Sequence, residues 1–329
     1  MKPHVAVIGA GVSGLTTATL LAEGGWPSTI FAAEVTPHTT SAAAAAIWYP
    51  YDAAPADAVT RWSLRTYEVL RALSADARTG VSMLEQRLFV RTGEIEIPAW
   101  ARSLGAKPLQ PADVPKCFTS GFVLQVPLTD TTRYLGYLAE RFDQSGGEIR
   151  AGVYLNALEE VSRKFALIVN CAGIGAKTLV PDDELEPHRG QVAVVAKLQL
   201  RHAVVCDDPP LMYAIPRAND CVFGGTNDVS FARAADPGAT RRILQHCSEM
   251  LGIAPPPVLD ERVGLRPFRR TGVCLCAHQL ADGRTGIHNY GHGGSGFTLS
   301  WGCAEDVLAL GSTASRLVER GPEARVSES

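Results

Sequence analysis

No apolar run in this chain reaches the roughly 18 to 20 residues that a membrane-spanning helix needs. No excess of basic residues is present either. The net charge is −3 and only 20% of residues are charged, which gives no electrostatic footprint for nucleic acid. The eight cysteines never fall in a C-x-x-C spacing. Cys274-x-Cys276 puts two thiols on one strand face with no histidine or acid at zinc distance, so no metal site is expected. Disulfides are not expected in a chain of this size, so the thiols read as reduced and mostly buried. No secretory leader is expected, since Met1-Lys2-Pro3-His4 runs straight into the apolar Val5-Ala6-Val7-Ile8. A soluble, cytoplasmic protein is the expectation, without nucleic-acid or membrane partners.

What is present is glycine in two informative places. With 329 residues, 46% of them apolar, the chain can bury one large core or two ordinary ones. Val5 to Ile8 reads as a buried parallel strand, and Gly9-Ala10-Gly11-Val12-Ser13-Gly14 follows it. Gly9 permits the tight turn, Gly11 lets the backbone approach a pyrophosphate, and Gly14 lets the next helix pack closely. That helix is expected over about Leu15 to Glu23, and a second strand over Thr29 to Ala32. Glu34 then sits where an acid can bond an adenosine ribose. This unit binds a dinucleotide but does not separate NAD from FAD.

The second cluster is Ile287-His288-Asn289-Tyr290-Gly291-His292-Gly293-Gly294-Ser295-Gly296-Phe297-Thr298, leading into an apolar helix. A strand, a glycine turn and a helix N-terminus again aim bare amides at an electron-rich ligand. Between the clusters, Ser41 is expected to cap an alanine-rich helix start. Helices are expected over Thr60–Leu73, about Thr132–Ser145 (capped by Thr129-Asp130-Thr131) and Gly238–Leu251. Strands are expected over Val81–Ile97, Phe122–Pro127, Ala166–Gly173 and from Gln191, with a hairpin of Tyr213–Pro216 and Cys221–Gly225. The last ten or so residues read as frayed. The fold class is therefore α/β: a Rossmann-like parallel-sheet domain (1–55, 125–190 and 262–329) interleaved with a strand-rich α+β substrate domain (56–124 and 191–261).

These segments resemble the D-amino-acid oxidases, FAD-dependent flavoenzymes, over nearly the whole chain. The resemblance rests on Val7–Ala18, Thr39-Thr40-Ser41, Ile47–Tyr51, Val169–Gly175, His188-Arg189-Gly190-Gln191, Tyr213–Pro216, Gly224-Gly225, Val263–Arg269 and Ile287–Ala304. It implies FAD lying between the two domains. Gly9, Gly11, Val12, Ser13, Gly14 and Glu34 would hold its nucleotide half, with Thr39, Thr40, Ser41 and Gly173 nearby. Ala46 and Ile47 would lie beside the flavin, with Gly293, Ser295, Gly296, Phe297 and Thr298 at its pyrimidine end.

For the substrate, the resemblance implies that Arg266 clamps a carboxylate, Tyr213 bonds the same group, and the Gly294 carbonyl accepts from the amine. An arginine fork suits a carboxylate because it is planar and permanently charged. Tyr49 and Ser295 would complete the substrate pocket. Cys206-Asp207-Asp208-Pro209-Pro210-Leu211-Met212 holds no tyrosine, so the lid of mammalian members is expected to be short or absent. Glu34 stands one position later than the family acid. Arg217 is a candidate second cation in type only. His288 and His292 are expected to hold the glycine turn by hydrogen bonds rather than to act as bases. The implied reaction is oxidative deamination of a D-amino acid by hydride transfer to flavin, with oxygen as acceptor; a homodimer is compatible with it. A glycine- or sarcosine-type amine oxidase and an NAD-dependent dehydrogenase are the alternatives.

Overall fold

The computed structural model describes residues 2–319, so the expected frayed end lies outside the described residues apart from its start. Its strands are β1 (Val5–Ile8), β2 (Ser28–Ala32), β3 (Val81–Val90), β4 (Lys107–Pro108), β5 (Ser120–Thr129), β6 (Glu148–Ala151), β7 (Leu167–Asn170) and β8 (Leu185–Ala196). They continue as β9 (His202–Cys206), β10 (Met212–Pro216), β11 (Asp220–Gly224), β12 (Asp228–Val229), β13 (Val258–Arg269), β14 (Cys274–Gln279) and β15 (Thr285–Tyr290). The helices are α1 (Val12–Glu23), α2 (Thr40–Ala43), α3 (Ala56–Leu73), α4 (Ala99–Ser103), α5 (Thr131–Gln144), α6 (Ala176–Leu179), α7 (Pro237–Leu251) and α8 (Gly296–Glu319).

A six-stranded sheet runs β14-β15-β7-β1-β2-β6. Its pairings are parallel except at the β14 edge, which meets β15 antiparallel. Every residue of β1 and β7 is buried, as a sheet covered on both faces requires. The central β1 carries the first glycine turn from its C-terminal end. The neighbouring parallel strand β15, one place beyond β7, carries the second. The two clusters that lie far apart in sequence therefore leave the same edge of one sheet, where open α/β sheets bind ligands.

The second sheet has nine strands in the order β12-β8-β11-β10-β9-β3-β5-β4, with β13 also paired to β8. The expected hairpin is present as β10 and β11, Tyr213 facing Gly224 in register. Some boundaries differ from the sequence reading. Only β3 forms within Val81–Ile97, because Gly93 turns the chain at φ +73 and Pro98 follows. β8 begins at Leu185, six residues before Gln191, because β13 pairs along its whole length. The expected domain limits at 125, 190 and 262 fall inside β5, β8 and β13. Among the described residues, no helix is long and apolar enough to cross a membrane.

α3 and α8 pack so closely that a Cβ on Gly302 would lie 2.4 Å from Trp62 Cα. The Gly302 amide donates to Thr66 Oγ1 at 3.0 Å, and Trp62 Nε1 donates to Asp306 Oδ2 at 2.7 Å. Gly302→Ala should therefore lower stability by about 1–3 kcal/mol in urea unfolding. Gly136→Ala, in α5 with nothing within 4 Å of the added methyl, should raise stability by about 0.5–1 kcal/mol in the same assay.

Candidate active site

A cavity of about 620 Å³ opens where the two glycine turns meet, within the range of roughly 300–1,000 Å³ typical of small-molecule sites. Its wall runs from Phe31–Glu34 at the end of β2, past Gly9–Ser13, to Gly293, Gly294 and Tyr213. The N-terminus of α8 stands against that of α1: a Cβ on Gly296 would lie 3.6 Å from Val12 Cγ1. Neither helix has an acid in its first turn, so two positive dipole ends face one space. Gly9 adopts φ +109, and a methyl there would sit 2.5 Å from the Cys171 carbonyl oxygen. Gly14 lies off the cavity wall; a Cβ there would be 1.9 Å from the Gly9 carbonyl, so its role is packing.

Ala46, Ile47, Tyr49 and Tyr51, from the segment between Ala46 and Asp52, line the same cavity. Both end residues have positive φ, 54° and 52°, a conformation costly for non-glycine residues. Three hydroxyls hold it. Thr129 donates to the Ala46 carbonyl at 2.9 Å, while Thr298 bridges the Tyr49 amide and carbonyl at 3.0 Å each. Ser295 Oγ accepts from the Tyr51 amide at 2.8 Å and donates to the Tyr51 carbonyl. This arrangement corrects the direct ligand role expected of Ser295. Its hydroxyl is spent on Tyr51, its amide donates to the His292 carbonyl, and it is fully buried behind the cavity wall.

Arg266, on β13, and Tyr213, on β10, share the cavity wall with the exposed Gly294. Two close approaches fix their positions. A Cβ on Gly190 would meet the Arg266 guanidinium at 2.4 Å, and one on Gly224 would meet Tyr213 Cζ at 2.0 Å. The guanidinium donates to the Thr226 carbonyl at 2.9 Å and Asn227 Oδ1 at 3.3 Å, leaving further N–H groups for a ligand. Burial raises the Tyr213 phenol while Arg266 pulls the other way, so the phenol stays protonated near neutrality. Thr40 Oγ1 ties α2 to the Leu265 backbone in both directions at 3.3 Å, which steadies Arg266.

His292 bonds Asn289 Oδ1 at 3.0 Å, and burial lowers its pKa to about 4, so it holds the turn as a neutral ring. Asn289 also donates to Thr17 on α1 at 3.1 Å and so joins both glycine turns. His288 differs from expectation. It stacks on His278 with ring centroids 4.4 Å apart and meets Asn170 at 3.4 Å, below the turn rather than in it.

The remaining expected residues mostly line the same cavity: Val12, Ser13, Glu34, Thr39, Thr40, Ser41, Ala46, Ile47, Tyr49, Gly173, Phe297 and Thr298. Ser41 is not the α2 cap. Thr39 takes that place by accepting from the Ala42 amide at 3.3 Å, and Ser41 accepts from the Val12 amide at 2.9 Å. Glu34 is bridged to Arg233 at 2.8 and 3.0 Å. Arg217 is no second cation for the pocket, since Asp220 binds it at 2.6 and 2.8 Å away from the cavity wall. The lid is short: only residues 207–211 join β9 to β10. Sequence reasoning passed over Tyr51, Asp207, Arg233 and Asn289. All four line the cavity; Tyr51, Asp207 and Arg233 stand in loops, and Asn289 near the end of β15 just before the glycines.

A family model described as FAD dependent oxidoreductase matches residues 4–310. The chain belongs to this family of FAD-dependent oxidoreductases. The D-amino-acid oxidase of Rubrobacter xylanophilus is 39% identical over 313 residues, 94% of this chain and 95% of that one. A D-amino-acid oxidase of Streptomyces coelicolor is 36% identical over 315 residues, covering 94% and 97%. The crystal structure of glycine oxidase from Geobacillus kaustophilus shares the fold, with a TM-score of 0.78 at 16% identity and 95% coverage of both chains. Family membership sets aside the nicotinamide-dependent alternative. The residues fit FAD: a turn with no room for a side chain at Gly9, hydroxyls of Thr39 and Ser41 beside it, and the amides of Gly294, Gly296 and Phe297 on the cavity wall, those of Gly293 and Ser295 being bonded to the Pro267 and His292 carbonyls.

Gly9→Ala should keep its far-UV circular dichroism and lose FAD affinity by at least about tenfold, read by flavin fluorescence on titration. A second expectation concerns pH. His292 is neutral at about pKa 4 in the fold and near 6.5 when unfolded, so the unfolded chain binds the extra proton. Stability is therefore full above about pH 6.5 and falls as pH drops toward 4. His292→Asn should flatten that slope in urea titrations at stepped pH.

Proposed function

We propose that this FAD-dependent oxidoreductase oxidatively deaminates D-amino acids in the cytoplasm, with oxygen as the electron acceptor. Net, a D-amino acid, oxygen and water become a 2-oxo acid, ammonia and hydrogen peroxide. The observation that carries the reading is the convergence of Arg266, Tyr213 and Gly294 on one wall. Relatives of that activity at 36–39% identity over most of the chain support it. Eight free thiols suit a reducing compartment. In this reading the six-stranded sheet carries the cofactor, and β8, β10 and β13 of the other sheet carry the substrate wall.

FAD, when bound, supplies a two-electron acceptor for the substrate's α-hydrogen. The protein's part is positioning and electrostatics. Arg266 holds the substrate carboxylate through a charge-assisted pair, and the Tyr213 phenol donates to the same group. The Gly294 carbonyl accepts from the amine. These contacts fix two substituents of the α-carbon, the carboxylate and the amine; the requirement that the α-hydrogen face the bound flavin would fix a third, and one enantiomer is then selected. Once the ammonium has lost a proton, its nitrogen lone pair supplies electrons, and no side-chain base is required at the α-carbon. His292 is unsuited to that work, being engaged with Asn289 and too weakly basic.

Oxygen consumption with a panel of D- and L-amino acids, glycine and sarcosine tests the reading and its achiral-amine alternative together. Turnover confined to D-amino acids supports it; turnover of glycine or sarcosine alone moves the chain to the alternative. Arg266→Ala should lower kcat/KM for a D-amino acid by about 2–5 kcal/mol, roughly 30- to 5,000-fold. Unchanged kinetics would remove the clamp.

A further inference from the structure

The charges on the cavity wall fall into two groups. Glu34 and Arg233 neutralise each other at the β2 end. At the Tyr213 end stand Arg266 and one carboxylate, Asp207. Asp207 opens the short connection between β9 and β10, and Val205, Leu211 and Tyr213 on either side of it share the wall. Tyr49 donates to Asp207 Oδ2 at 2.7 Å. Among the described residues no cation pairs with this carboxylate, and no other group donates to it. Asp207 lines the cavity and is exposed; desolvation, and then Asp208, raise its carboxyl above the ordinary aspartate value, and the Tyr49 bond opposes them.

The route from Arg266 to Asp207 is aromatic. Tyr51 covers Gly294, where a Cβ would lie 2.7 Å from Tyr51 Cδ1 and 3.7 Å from Arg266 Cδ. The Tyr49 and Tyr51 rings stack with centroids 6.3 Å apart. Tyr51 senses both charges, for burial and then Asp207 raise its phenol and Arg266 opposes them. A ligand whose carboxylate sits on Arg266 thus extends its side chain along tyrosine faces toward an unneutralised anion. Such a path favours an ammonium or guanidinium, through cation–π contact and charge pairing. It disfavours a second carboxylate, which would face Asp207 with no free cation to offset it.

Resting on the D-amino-acid reading above, we propose that Asp207, oriented by Tyr49, makes this cavity select D-amino acids with basic side chains. The test uses the FAD-loaded enzyme with D-lysine, D-norleucine and D-glutamate. D-Norleucine has lysine's carbon chain without the ammonium. The kcat/KM ratio of D-lysine to D-norleucine should exceed one and fall about tenfold or more in Asp207→Asn. Tyr49→Phe should lower it in the same direction by less, and the ratio of D-glutamate to D-norleucine should rise in Asp207→Asn. A lysine ratio below one, or one unmoved by Asp207→Asn while D-norleucine is still oxidised, overturns this inference and leaves the D-amino-acid reading standing. Oxidation of none of the three overturns both.

Discussion

The structure depends on bare backbone amides from opposite ends of the chain meeting at one edge of one parallel sheet. Parallel pairing of β1 and β15 on either side of β7 brings the two glycine turns together. Asn289 then joins them through Thr17 and His292. Helix N-termini carry unpaired N–H groups and a partial positive charge, and both are worth most where water is scarce. An electron-rich cofactor completes such a site, and at Gly9, Gly14 and Gly293 the backbone packs so closely that a Cβ would lie within 2.5 Å of a carbonyl oxygen.

Around this edge the molecule spends conformational energy to present the segment 46–52. Ala46 and Asp52 hold positive φ, and Thr129, Ser295 and Thr298 satisfy the polar backbone between them. The result places Tyr49 and Tyr51 on the cavity wall with Tyr213 and Arg266. The nine-stranded sheet contributes through long strands: β8 supplies Gly190, β10 supplies Tyr213 and β13 supplies Arg266. This side of the cavity wall is thereby fixed on rigid strands, as the proposed positioning role demands.

The parallel sheet and both glycine turns were legible because their signals are local: a β-branched strand, glycines at fixed spacing and an apolar helix. The β10–β11 hairpin was legible for the same reason. Ser295 shows why other parts were not. A serine at a helix start beside a ligand site reads as a contact, but the hydroxyl turns back to Tyr51, 244 residues away in sequence. Ser41 likewise serves Val12 rather than its own helix. Arg233 and Asp207 stand in loops without period or motif, and only the folded chain brings them to the cavity. The limits drawn at 125, 190 and 262 cut through strands because a long strand pairing end to end leaves no break in composition.

The most direct measurement mixes the FAD-loaded protein with the D- and L-forms of one amino acid without oxygen and follows the yellow flavin absorbance. The account predicts bleaching by the D-form within the time of turnover and none by the L-form. Persistence of the colour with both, or equal bleaching by the L-form, would contradict it.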